Sequence, residues 1–70
     1  MNEEEAVSLA TLYARQQGYD PGQYEIRADS RDGEWLIFFR SGLARPGPGD
    51  FFTVYVDDKS RSAQRLVPGK

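Results

Sequence analysis

The sequence predicts an α+β fold, one N-terminal helix packed on a four-stranded antiparallel meander in the order α-β-β-β-β. Two observations carry most of that expectation. Apolar side chains recur with helical spacing over the first seventeen residues, and not after them. Two seven-residue stretches, 34–40 (EWLIFFR) and 51–57 (FFTVYVD), then hold six of the nine aromatic residues and are rich in β-branched side chains. A third observation sets the connectivity. Turn-forming clusters separate every apolar run, so neighbouring strands are expected to pair as hairpins.

The helix is expected from Asn2 to Gln17. Asn2 is a good N-cap, and Glu5, three residues on, suits a capping box. Glu3, Glu4 and Glu5 lie where the helix dipole favours negative charge, and Arg15 where it favours positive. Ala6, Leu9, Ala10, Tyr13 and Ala14 form one apolar stripe, with Val7 and Leu12 at its flanks. The alanines let the helix lie close on a sheet, while Leu9 and Tyr13 fill the gaps. Gly18 supplies the left-handed residue that stops the helix.

Tyr19-Asp20-Pro21-Gly22 reads as a connection, with Tyr19 tucked beneath the helix end. A first strand follows over Gln23 to Asp29, with Tyr24, Ile26 and Ala28 alternating against Gln23, Glu25 and Arg27. Ser30-Arg31-Asp32-Gly33 is a hairpin turn, since Asp-Gly is a strong type I′ signal. In the second strand Trp35, Ile37 and Phe39 share one face and Leu36 and Phe38 the other. In the third, Phe52, Val54 and Val56 share one face and Phe51 and Tyr55 the other. Strands apolar on both sides belong at the sheet centre.

Between them lie ten residues, 41–50, with two Pro-Gly pairs that exclude ladder pairing through most of the segment. So long a loop is either a loose connector or a partner-facing element. In the second case Leu43 and Arg45 are the side chains able to anchor something. Asp57-Asp58-Lys59-Ser60 turns the chain again. A weaker last strand is expected over Arg61 to Val67, with Ala63, Arg65 and Val67 alternating against Ser62, Gln64 and Leu66. Its charge suits an edge. The expected core comprises Ala6, Leu9, Ala10, Tyr13, Trp35, Ile37, Phe39, Phe52, Val54 and Val56, with Ile26 or its neighbours joining by register.

Composition narrows the function. Seventy residues make one domain, and a chain this short buries only roughly 60% of the surface its unfolded form exposes. Cysteine and histidine are both absent, which removes disulfides, the thiol nucleophile, the commonest general base and the usual transition-metal ligands. The serines and threonines have no base near them in sequence. The prolines of Arg45-Pro46-Gly47-Pro48-Gly49 remove backbone donors that a phosphate loop needs. The carboxylate pairs Asp29/Asp32 and Asp57/Asp58 fall at turns, where Asp is expected for its backbone bonds. The expectation is therefore a non-enzyme without cofactor or metal. No run of apolar residues is long enough to span a membrane. The acidic Met1-Asn2-Glu3-Glu4-Glu5 does not resemble a signal peptide, so a cytoplasmic location is expected.

Charge is uneven along the chain. Residues 1–35 carry eight acids and three bases, a net of −5, whereas residues 36–70 carry three acids and six bases, a net of +3. The bases are scattered among apolar residues rather than clustered, which argues against nucleic acid as a partner.

The Ala-rich helix from Glu5 to Ala14, Trp35 and Phe39 in a W-x-x-x-F strand, and Phe52-Thr53-Val54-Tyr55-Val56-Asp57-Asp58 ahead of a turn together resemble small cystatin-like α+β modules. The pattern is similar to bacterial PepSY-type domains and to NTF2-fold or YrhB-type immunity protein domains. Those families usually place a Thr-Gly turn where this chain has Asp58-Lys59-Ser60. The resemblance implies neutralisation or inhibition of another protein by binding, with no catalytic residues.

A single helix can shield one sheet face. The expected interaction site is the other: Leu36, Phe38, Phe51 and Tyr55, with Arg40 beside them and Leu43 and Arg45 from the long loop. The partner is expected to be a protein or a second copy of the chain. The alternative is single-stranded nucleic acid stacked on the same aromatics.

Overall fold

A computed structural model describes residues 1–41 and 51–68. Helix α1 (Glu3–Gln16) is followed by a short 3-10 turn (Pro21–Gln23) and strands β1 (Tyr24–Arg31), β2 (Glu34–Ser41), β3 (Phe51–Asp57) and β4 (Ser62–Pro68). The strands form one antiparallel sheet in the order β1-β2-β3-β4, as the turn spacing predicts.

Local chemistry sets the ends of α1. The Asn2 side chain accepts from the Glu5 N–H at 2.8 Å, the half of the capping box that the structure forms. At the other end Gly18 has φ +95°, and it donates to the Arg15 carbonyl while Tyr19 donates to that of Ala14, both at 3.0 Å. The first satisfies the Arg15 carbonyl at the helix end, the second shares the Ala14 carbonyl with the Gln17 N–H, and the left-handed φ at position 18 favours a residue free of a Cβ. Tyr19 is thereby turned back under the helix, its ring 4.2 Å from that of Phe52. Asp20 caps the 3-10 turn, its side chain accepting from the Gly22 N–H at 3.3 Å.

The β1–β2 connection is tighter than the four-residue turn expected. Strand β1 runs to Arg31, which pairs with Glu34, and only Asp32 and Gly33 lie between them. Their φ values of 49° and 79° are the left-handed pair that a type I′ turn requires.

Register then decides the faces. Directly paired residues share a face, so Ile37 opposite Val54, Phe39 opposite Phe52 and Trp35 opposite Val56 form one continuous apolar layer. Helix α1 lies on it through Ala6, Ala10 and Ala14, each with no exposed surface. Ile37, Phe39, Phe52, Val54 and Val56 complete the buried core. Leu9, Tyr13 and Trp35, expected in the core, are partly buried at its margin. Four aromatic rings close one end: Phe39 stacks on Phe52 at 4.6 Å, and Tyr24 meets Phe52 edge-on at 5.1 Å, with Tyr19 on the far side.

From β1 it is the neighbours of Ile26 that join the core: Tyr24 and Ala28 pack against it, whereas Ile26, which pairs with Phe39 and so sits on the helix side, is 42% exposed. The helix touches all four strands, β3 most, and leaves Ile26 uncovered. One expectation fails, in β4, where Ala63, Arg65 and Val67 were expected on one face. Ala63 pairs with Val56 but Arg65 pairs with Tyr55, so the register shifts by one and Gln64 is the extra residue of a bulge. Strict alternation would send either Ala63 or Leu66 outward. The bulge lets both pack against the core.

The end of the sheet remote from the aromatic cluster is fastened by Asp58. Its carboxylate accepts from the Trp35 indole N–H at 3.2 Å and lies 3.5 Å from the Met1 amino group. Its backbone N–H donates to the Gly33 carbonyl at 3.0 Å, tying the two turns together. Asp57, beside it, accepts from the Ser60 N–H at 2.7 Å. That bond, with help from the Ser60 side chain and the Lys59 charge, lowers the Asp57 pKa below 3.8. Its contribution is therefore complete above that pH and lost as pH falls through the lowered value.

Candidate functional site: the outer face of the sheet

The residues that alternate with the core along β2 and β3 point away from α1. Leu36 pairs with Tyr55, Phe38 with Thr53 and Arg40 with Phe51, which places the five expected site residues of these strands on one surface. Phe38 is 37% exposed and Phe51 40%, while Leu36 and Tyr55 are half-buried among their neighbours. Among the described residues, no helix or strand lies over this face. Leu43 and Arg45, the two expected site residues from the long loop, fall outside the described residues.

The structure adds residues that the sequence reading did not place there. Thr53 and Val67 are cross-strand partners, so Val67, 43% exposed, extends the apolar strip across β4. Arg65 lies over the Tyr55 ring, its guanidinium carbon 4.3 Å from the centroid. Both arrive through the bulge at Gln64, which a period-2 reading cannot anticipate. On the other flank β1 contributes Glu25, Arg27 and Asp29, opposite Arg40, Phe38 and Leu36 respectively. Glu25, Arg27, Asp29, Phe38 and Arg40 line a shallow open concavity, and Phe38, Arg40, Phe51 and Thr53 line a second, more apolar one beside it.

The face therefore offers two kinds of contact. Its centre is aromatic and aliphatic, suited to burying apolar surface. Its border carries four guanidiniums, Arg27, Arg31, Arg40 and Arg65, whose fixed fork of donors suits carboxylates. The acids of the border are Glu25 and Asp29 on β1 with Glu34 and Asp57 at the turn end, and Asp29 lies 3.8 Å from Arg31, both side chains more than half exposed. Among the described residues, no group of three or more Asp or Glu side chains is placed to hold a metal ion. No helix of the described residues is long and apolar enough to cross a membrane. Compared with protein-family models, with curated proteins and with solved structures, the chain matches none.

Proposed function

We propose that this chain is a non-catalytic protein-interaction module that takes a partner protein on the outer sheet face, as an inhibitor or immunity-type protein would. One observation carries the reading. Phe38, Phe51 and Val67 are all more than a third exposed on neighbouring strands, joined by Leu36, Thr53 and Tyr55, on the side of the sheet away from the only helix among the described residues. Contiguous apolar surface of this kind is costly in water and marks interaction sites. The border carries charges of both signs, which favours a partner whose apolar patch is rimmed by complementary charges of both signs. Leu43 and Arg45 join the proposed surface from the sequence alone, and the likeness to PepSY-type and immunity domains supports the same role.

Single-stranded nucleic acid on the same aromatics is the competing reading. It is disfavoured because Arg65 already covers one face of Tyr55, where a base would stack. The chain's net charge of −2 adds a general repulsion from phosphates.

A photoreactive phenylalanine analogue at position 38, in the full chain returned to its native host, tests the proposal. The expected result is a discrete protein adduct that disappears when Phe51→Glu is added. The same analogue at Leu12, exposed on α1, should give no such adduct. Equal adducts at both positions, a nucleic-acid adduct, or none would overturn it.

A further inference from the structure

Strand β1 is an edge strand, eight residues long, and among the described residues no strand pairs with its outward backbone. The two-residue turn fixes which residues face that edge. Arg31 and Glu34 flank the turn as a hydrogen-bonded pair, so the odd-numbered residues of β1 bond to β2. Tyr24, Ile26, Ala28 and Ser30 consequently direct their N–H and C=O groups outward.

A long edge invites strand addition, and proteins commonly blunt it with charged side chains, which repel a second copy when they are of one sign. Here the outer-face side chains of β1 alternate instead: Glu25, Arg27, Asp29, Arg31. That sequence is complementary to itself when read antiparallel. With Ala28 opposite Ala28 of a second copy, Arg27 meets Asp29 of the second copy and Glu25 meets Arg31 of the second copy. Each of these is a non-hydrogen-bonded pair, the kind in which side chains approach most closely. Moving the centre one residue to either side changes the sign of the ladder. Centred on Arg27, arginine meets arginine and Glu25 meets Asp29. Centred on Asp29, the two aspartates meet and Arg27 faces Arg31. Centring on Ile26 also matches charges, but pairs only Tyr24 through Ala28, whereas the Ala28 register uses almost the whole strand.

The helix side of the edge agrees. Ile26 is 42% exposed at the uncovered margin of the core, and in the Ala28 register a neighbouring strand would lie directly against it. Ala28 presents only a methyl group at the two-fold axis. Helix α1 packs most closely on β3, away from the β1 edge, and leaves Ile26 of β1 uncovered.

We propose that the β1 edge joins two copies of this chain, antiparallel about Ala28, into one continuous sheet of twice four strands. Both helices then lie on one side, and the two outer faces form a single surface on the other. The contact adjoins the outer-face docking site and shares the border residues Glu25, Arg27 and Asp29 with it, but it does not use Phe38, Phe51 or Tyr55.

Sedimentation of four samples at low salt tests the proposal: the wild type, Arg27→Asp, Asp29→Arg, and an equimolar mixture of the two variants. The wild type should sediment at twice the chain mass of 7.9 kDa. Each variant alone places like charges opposite each other at both central pairs, and its dissociation constant should rise at least tenfold. In the mixture the new carboxylates face the new guanidiniums, and a heterodimer should return. That recovery separates a broken interface from a misfolded chain, and Phe38→Glu should leave the wild-type mass unchanged. A monomeric wild type at millimolar concentration would overturn the proposal. So would variants that dimerise like the wild type, a mixture that stays monomeric, or a dimer that dissolves on Phe38→Glu alone.

Discussion

Replacing Phe52 with alanine should cost the chain a large part of its stability and lower its urea midpoint sharply. Phe52 is the hub of the aromatic cluster, stacked on Phe39 with an interplanar angle of 9° and in contact with Tyr19 and Tyr24. It is 1% exposed, and the three rings around it come from the connection after α1, from β1 and from β2. Truncating a buried phenylalanine costs about 3–5 kcal/mol, the lost transfer energy plus the cavity left behind. A domain of this size has only about 4–10 kcal/mol of net stability. No disulfide is available to offset the loss, because the chain has no cysteine. Urea unfolding followed through the fluorescence of Trp35 checks this, and a midpoint close to that of the wild type would refute it.

Ala10→Leu should also be damaging, to a smaller extent and for the opposite reason. Ala6, Ala10 and Ala14 lie along one line of α1 with no exposed surface, so the helix rests on the sheet at alanine distance. Leucine at the middle of that line adds three carbon atoms where Val54, Val56 and Phe52 already fill the core. Overpacking of this kind costs about 1–3 kcal/mol, through distorted rotamers or a lifted helix. Ser8→Leu, at an exposed position of the same helix, should change stability by less than about 0.5 kcal/mol. Thermal unfolding of the two variants side by side distinguishes close packing from a mere preference for small residues in the helix. Equal effects would count against the close approach.

Much of this architecture is legible in the sequence because local and long-range signals agree. The N-cap at Asn2, the stop at Gly18 and the Asp32-Gly33 turn each follow from a short-range rule. The two-faced character of β2 and β3 follows from the alternation of Trp35, Ile37 and Phe39 with Leu36 and Phe38. The missing parts depend on where the helix comes to rest and on how one strand breaks its period. Nothing in the run from Tyr24 to Arg31 says that α1 will pack most closely on β3 and leave Ile26 uncovered. In β4, Ala63 and Leu66 are three residues apart, a spacing that fits neither face of a regular strand. Had both been assigned to the core, the bulge at Gln64 would have followed, and with it the outward placement of Arg65 and Val67. Asp58 was read as turn chemistry, but its side chain serves Trp35, twenty-three residues away, a contact no local rule could supply. Leu36, Phe38, Arg40, Phe51 and Tyr55 come together as expected because cross-strand register follows once the hairpins are fixed.

The account rests on β2 and β3 having one face sealed by α1 and a second left open for a partner. Urea unfolding of Phe38→Glu puts that to the test most directly, since Phe38 is the neighbour in sequence of the fully buried Phe39. The expected result is a stability within about 0.5 kcal/mol of the wild type, as for an exposed position. A loss approaching that of Phe52→Ala would mean that the outer face is a second core, and would contradict the account.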